Sequence, residues 1–267
     1  MNIIKFFTAS NLWIALASFC FYQVSLVQLG NGINITNTSI FIFFSALFSY
    51  NLLKFFGFEK KEKETNFITK IIVVVSASAC FFYYKDISAV SIKYFIVAGL
   101  LTFLYANPLF VNKKRGFSIR KFWFLKSITV ALVWTITSSI IPLIEFQATE
   151  SQLYLFSLEK FLFILGITIP YDIKDLQKDK LQKGMTSFVM KFGVSITIIV
   201  SNFVLFCGLC LAFYLFPNFR LATILIYTSA IIINVFTNES RTTHWYTFLV
   251  DGLIILYLFI YLFISKV

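Results

Sequence analysis

Nine apolar stretches, most of them close to twenty residues long, leave this sequence few ways to fold. A helix rises about 1.5 Å per residue, so about 20 mostly apolar residues are needed to cross the hydrocarbon core of a bilayer. The stretches run from Asn11 to Leu29, Ser39 to Phe56, Phe67 to Tyr84, Ser88 to Tyr105 and Phe122 to Ile144. The rest run from Leu153 to Tyr171, Val194 to Phe216, Leu221 to Phe236 and Trp245 to Ile264. The third and fourth are short, and Lys93 interrupts the fourth. A tilted, re-entrant or kinked segment is therefore expected among those two. The expected fold is all-α: a polytopic membrane bundle of about nine transmembrane helices, forming a single helical domain over residues 1–267.

Composition agrees. A soluble domain needs about a quarter of its residues charged to cover its surface, and here the share is 13%, with 59% hydrophobic residues and a mean hydropathy of +0.84. Such a surface must face lipid. The 35 Phe and 13 Tyr fit lipid-facing helices and a greasy internal cavity equally well. Cys20, Cys80, Cys207 and Cys210 all lie inside apolar runs. Cys207 and Cys210 form a C-x-x-C, but mid-span and beside no His or acid, so they read as small packing residues rather than as a redox or metal pair. The first apolar run is too long for a signal-peptide core and no small-residue cleavage pattern follows it, so it is expected to remain as the first helix.

Charge sets the orientation. With the N-terminus inside, alternate loops carry Lys5, Lys54, Lys60, Lys61, Lys63, Lys70, Lys113, Lys114, Arg115, Arg120, Lys121, Lys126, Lys174, Lys178, Lys180, Lys183, Lys191 and Arg241 on the cytoplasmic side. Those are 18 of the 23 basic residues, a strong positive-inside bias. The expected location is the cytoplasmic membrane, with the C-terminus outside and the chemistry on the inner face. The net charge of +11 then points to anionic headgroups and phosphorylated substrates rather than to nucleic acid.

One cluster on that face could carry chemistry. In YDIKDLQKDKLQKGMTSFVMKFG, residues 171–193, Asp172, Asp175 and Asp179 stand at i, i+3 and i+7. At about 100° per helical residue they share one face within roughly 60°. Three like charges at one helix end repel unless a cation bridges them. Mg²⁺ fits, being hard and oxygen-seeking and accustomed to joining carboxylates to substrate phosphates. Lys174, Lys178 and Lys180 could steer the anion. The alternative is a solvated loop whose Lys and Asp satisfy one another.

This cluster, placed after the sixth span of nine, resembles the second Asp-rich motif of the UbiA superfamily of intramembrane prenyltransferases. Asp172, Asp175 and Asp179 match its acids, and Gly184, Thr186 and Gly193 are similar to its trailing elements. The resemblance covers most of the chain. It implies a nine-helix bundle in which Asp172, Asp175 and Asp179 are catalytic and hold Mg²⁺, beside a prenyl diphosphate whose tail lies in a lipid-lined cavity. Substrate contacts carried over by position are Asn51, Lys54, Tyr105, Lys114, Arg115 and Lys174. The sequence departs from the family at the first motif. There Asn51 and Glu59 remain, while Leu52 and Phe55 replace the two middle acids and Lys54 adds a positive charge. Glu62 and Glu64 are spare carboxylates mixed with lysines, His244 reads as an interfacial residue, and Asp251 is an acid just inside the last span. The implied function is transfer of a prenyl group from an allylic diphosphate to an aromatic or other lipid-precursor acceptor. The alternative is an inactive relative that binds a polyprenyl or quinone-type lipid or scaffolds a partner. A transporter would want more charge near the bilayer midplane than these spans show.

Overall fold

A computed structural model describes residues 7, 9–55, 67–106, 122–180, 186–242 and 245–264, and among them every regular element is helical. In chain order the helices are α1 (Leu12–Gln28), α2 (Asn37–Phe55), α3 (Phe67–Tyr83), α4 (Ala89–Ala106), α5 (Leu125–Glu145), α6 (Glu150–Thr168), α7 (Tyr171–Lys180), α8 (Phe188–Leu215), α9 (Arg220–Val235) and α10 (Trp245–Ile264). The span of α6 continues into α7. Counted so, and with the 3-10 turns that adjoin α3 and α9 included, the described residues hold nine apolar helices: six spans of 19 to 28 residues, long enough to cross a membrane, and the shorter apolar stretches of α1, α2 (to Leu53) and α4. The polytopic all-α bundle expected from the sequence is what forms.

The helices run alternately up and down, as contacts at the two ends show. At one end the start of α1 meets the end of α2, with Asn11 Nδ2 donating to Asn51 Oδ1 at 3.2 Å. At the other end Glu145, closing α5, accepts from Tyr22 of α1 (3.0 Å), Thr38 of α2 (2.8 Å) and Ser91 of α4 (2.8 Å). One carboxylate thus ties four helices together where they leave the apolar layer. Helix α1 is the most enclosed element. It packs on α2, α10 and the middle of α5, and buries Ala15, Ala17, Phe21, Tyr22 and Val24 completely. Helix α3 is the opposite case, packing on α2 alone among the helices that it contacts broadly, with only 6% of its span buried. Its exposed Val74, Val75, Phe81 and Phe82 are lipid-facing residues.

Small residues let the remaining helices approach closely, as expected where lipid removes the hydrophobic drive for helix association. A Cβ on Gly166 of α6 would lie 2.5 Å from Leu205 Cγ of α8, and one on Gly208 of α8 would lie 2.9 Å from Tyr227 Cε1 of α9. The α6–α8 crossing carries a polar clasp: Ser201 Oγ donates to the Gly166 carbonyl at 2.5 Å, and Asn234 of α9 donates to Ser201 Oγ at 2.6 Å.

The irregularities fall elsewhere than in the third and fourth spans. Helices α3 and α4 are continuous. Lys93 sits in the second turn of α4 and is exposed, so its stem can snorkel without breaking the helix. Instead α5 contains a π turn at Ile136–Ile140, α8 bends at Gly193 (φ 80°), and α10 opens with a π turn at Trp245–Val250. The first has a clear cause. Pro142 has no N–H, so the Ser138 carbonyl four residues earlier loses its usual donor. Ser25 Oγ of α1 supplies one at 2.6 Å.

Candidate functional site

At the end of the bundle where α1, α5, α8 and α10 begin, α6 turns at Ile169–Pro170 and restarts as α7. Here Asp172 N donates to the Ile169 carbonyl at 3.1 Å and Ile173 N to that of Pro170 at 3.0 Å. The helical period then divides α7 into two faces. Ile173 and Leu176 pack on Val189 of α8. Asp172, Asp175 and Asp179 share the other face, as their spacing predicts, and that face meets the first turn of α5.

What they meet there is Lys126. Its Nζ lies 2.9 Å from Asp172 Oδ1, 3.1 Å from Asp175 Oδ2 and 3.4 Å from Asp179 Oδ2. Asp172 and Asp179 are fully buried, Lys126 is 6% exposed, and Asp175 keeps a fifth of its side chain open. Asp172 has a second task, because its Oδ2 accepts from Phe188 N at 3.1 Å, the first residue of α8. A carboxylate there satisfies an orphan donor and meets the positive end of the helix dipole.

Beside the triad is a cavity of about 290 Å³ lined by residues that include Asn11, Tyr105, Lys126, Asp172, Lys174, Asp175 and Asp251. A second cavity of about 290 Å³ lies between α1, α2, α4 and α5 and is largely apolar, with Phe41, Ile42, Phe95, Ala98 and Val133 in its wall. The two share Tyr50, Tyr105, Val130 and Trp134 as lining, and Trp134 Nε1 donates to Tyr50 Oη at 3.3 Å. A charged chamber thus adjoins a greasy one across an aromatic partition. The remaining wall of the charged chamber holds a tyrosine–carboxylate pair, Tyr171 Oη lying 2.6 Å from Asp251 Oδ1 and 2.9 Å from the Tyr246 carbonyl.

The expected site residues divide accordingly. Tyr105, Lys174 and the acids Asp172 and Asp175 share the chamber, and Lys174 Nζ also lies 5.4 Å from the Tyr171 ring centre. Asn51 does not line either cavity. It is fully buried, donating to the Ser10 carbonyl at 2.9 Å and the Leu47 carbonyl at 2.8 Å, and so fixes α2 to the start of α1. Lys114, Arg115 and Gly184 lie outside the described residues, as do Glu59, Glu62, Glu64, His244 and the side chain of Lys54. In the sequence Lys126 reads only as a positive-inside charge. Its signal was a lone lysine four residues into an apolar run, which marks a site by default. Tyr50, Trp134 and the Tyr171–Asp251 pair were not singled out together because nothing local links them.

Mg²⁺ can be tested against these residues. The donors are all carboxylate oxygens, and three carboxylates outweigh one ammonium, which is the chemistry of a hard divalent cation. Their spacing, however, is an ammonium's: the Lys126 contacts of 2.9–3.4 Å exceed the Mg–O bond of about 2.0–2.1 Å. Among the described residues no group of three or more His, Cys, Asp or Glu is placed to hold a metal ion as it stands. The donor chemistry suits a hard divalent cation, while the spacing in this structure suits the Lys126 ammonium that holds the position.

The fold and its charged chamber define a polytopic membrane-type bundle of apolar helices with a charged pocket at one end. Among solved structures, one of a digeranylgeranylglyceryl phosphate synthase in membranes is similar, with a TM-score of 0.57 at 13% identity over 99% of this chain and 98% of that one. No protein-family model and no curated protein matches the chain.

Proposed function

We propose that the chain is a membrane prenyltransferase that moves a prenyl group from an allylic prenyl diphosphate to an aromatic or other lipid-precursor acceptor. One observation carries this reading: a chamber beside a triad of carboxylates, Asp172 and Asp175 in its wall, adjoins an apolar cavity through Tyr50, Tyr105 and Trp134. A prenyl diphosphate has that same division, a polyanionic head on a hydrocarbon tail. The head belongs at the membrane surface and the tail among Phe41, Phe95 and Val133. The likeness of the whole fold to a digeranylgeranylglyceryl phosphate synthase supports the reading at the level of class.

The chemistry follows from the reactants. The allylic C–O bond breaks with its electron pair leaving on the diphosphate. The allylic cation sits between the aromatic faces of the partition, which stabilise it through their quadrupoles. The acceptor atom then bonds to carbon and gives up a proton. Mg²⁺, held by Asp172, Asp175 and Asp179, would neutralise charge on the departing diphosphate, and Lys174 would bind its oxygens. A reading without catalysis, a relative that only binds a prenyl-type lipid, draws on Leu52 and Phe55, which remove two acids from the first motif.

The experiment is incorporation of labelled geranylgeranyl diphosphate by the purified full chain in nanodiscs, offered isoprenoid glycerol phosphates and hydroxylated aromatic acids as acceptors. Transfer that needs Mg²⁺ and is lost in Asp175→Asn supports the enzyme. Absence of product with every acceptor, together with a neutral prenyl lipid copurifying, would replace it with the binder.

A further inference from the structure

Lys126 is the part of the site that the enzyme reading leaves over. It is an all but buried ammonium within hydrogen-bonding reach of three carboxylates on the neighbouring element, at the point where a bridging cation belongs. Taking an ammonium out of water costs several kcal/mol after relaxation, so its position depends on the triad. A lysine is also a flexible four-carbon stem, whose head can move to a new anion without backbone change. The same ammonium lines the chamber beside Lys174 and Tyr105.

We infer that Lys126 is an exchangeable resident cation: its ammonium occupies the focus of Asp172, Asp175 and Asp179 and competes with a divalent metal for it. In this arrangement metal binding and diphosphate binding are coupled. Metal displaces the ammonium from the carboxylates, and an anion in the chamber gives the displaced ammonium a new partner. Metal alone must strand a buried charge, so it binds weakly. Diphosphate alone meets an ammonium already claimed by three acids, so it too binds weakly. Together they satisfy every charge, and each raises the affinity of the other by the same factor, as linkage requires. Lys126 acts here as a positioning residue for the head group. The inference rests on the proposed function only for the identity of the anion; the competition between ammonium and metal does not need it.

The test is Mn²⁺ binding, followed by the electron paramagnetic resonance of the free ion, to the full chain in nanodiscs. Wild type, Lys126→Met, Lys126→Gln and Asp172→Asn/Asp175→Asn are compared, with and without geranylgeranyl thiodiphosphate. Wild type should bind Mn²⁺ weakly by itself and about tenfold or more tightly with the thiodiphosphate. Either neutral variant should bind Mn²⁺ by itself about tenfold more tightly than wild type, with the gain from thiodiphosphate reduced. The double Asp variant should bind none. Neutral variants that stay folded at the assay temperature and elute as wild type yet bind Mn²⁺ no more tightly would overturn the exchange. So would a wild type whose Mn²⁺ affinity ignores the thiodiphosphate, which requires no variant to fold. Failure of the enzyme reading looks different. If no acceptor is prenylated but neutral variants gain Mn²⁺, the exchange stands and the transferase falls. If wild type transfers prenyl groups with Mg²⁺ and neutral variants gain no metal affinity, the reverse holds.

Discussion

Asp172 shows how much one side chain can be asked to do in this protein. One oxygen meets the Lys126 ammonium at 2.9 Å and the other caps α8 through Phe188 N at 3.1 Å. Lys126→Met strands the buried carboxylates of Asp172 and Asp179, whereas Asp172→Asn leaves the ammonium with Asp175 and Asp179 but removes the charged cap on α8. Asp172→Asn and Lys126→Met should each lower unfolding stability by about 3–5 kcal/mol, and the pair together by less than their sum. Thermal melts of the four proteins in one detergent check this; strict additivity would show that the ion pair is uncoupled. Asn51 makes the opposite prediction to its expected role at the substrate. Its amide is spent on Ser10, Leu47 and Asn11. Asn51→Ala should therefore cost about 1–3 kcal/mol of stability and leave affinity for a prenyl diphosphate analogue unchanged; a selective loss of affinity would restore Asn51 to the site. The contrast also marks what a sequence can disclose. The three Asp were legible because a helical period relates them. Their partner, 46 to 53 residues earlier, and the fate of Asn51 depend on which helices touch.

At the scale of elements, the bundle is held by close crossings and by polar groups hidden from lipid. Gly166 is at the tightest of the crossings, with Leu205 Cγ 2.5 Å from where its Cβ would be. Gly166→Ala should destabilise by about 1–3 kcal/mol through overpacking, and Leu205→Ala in the same chain should recover part of that loss; no recovery would mean that the cost lies in the α6 backbone instead. Midway along α6, Glu159 and Lys160 are fully buried neighbours. Lys160 Nζ donates to Glu159 Oε2 at 2.9 Å and to Gln28 Oε1 at 2.5 Å, while Tyr227 and Tyr257 donate to Glu159 Oε1 at 2.5 and 2.9 Å. Phe21 and Tyr257 rings lie about 5 Å from the ammonium, close enough for cation–π attraction. Both Glu159 oxygens and two of the ammonium's donors find partners inside the protein, which is how a charge pair persists at that depth. Glu159→Gln and Lys160→Met should each be strongly destabilising, about 3–5 kcal/mol, with the double replacement milder than either alone. If the double variant melts lowest, the network contributes net stability beyond its own charge balance.

For the whole molecule, the up-and-down course puts the acid triad, Lys126, Asp251 and the Asn11–Asn51 contact at one end, and Glu145 with its three donors at the other. The first end also carries cation–aromatic pairs of interfacial type, Lys191 Nζ at 4.4 Å from the Trp123 ring centre and the Arg241 guanidinium at 4.2 Å from that of Trp245. We propose that this end faces the cytoplasm, because the positive-inside bias falls on it. Single cysteines at Ser118 and at the exposed Ser151, each in a background lacking the four native cysteines, should react with an impermeant maleimide from opposite sides of an oriented membrane. Reaction of both from one side would sink the topology.

The sequence by itself determined the class of fold. Each span except α8, which starts at Phe188 rather than Val194, stayed within about three residues of its apolar run, because hydrocarbon thickness and the need to bond every backbone group internally act locally. It also determined the face on which Asp172, Asp175 and Asp179 stand, since helical geometry is a local rule. It did not locate the irregularities. Lys93 left α4 intact, while the π turn in α5 depends on Pro142 together with a hydroxyl from α1 that could satisfy the freed carbonyl. Nor did it pair Lys126 with the triad, Tyr171 with Asp251, or Tyr50 with Trp134 across the partition between the two cavities. Those pairings depend on helix order, crossing distance and rotation about each axis. They are set by how Gly166, Gly208 and the buried polar groups let the helices approach, and only the tertiary structure decides them.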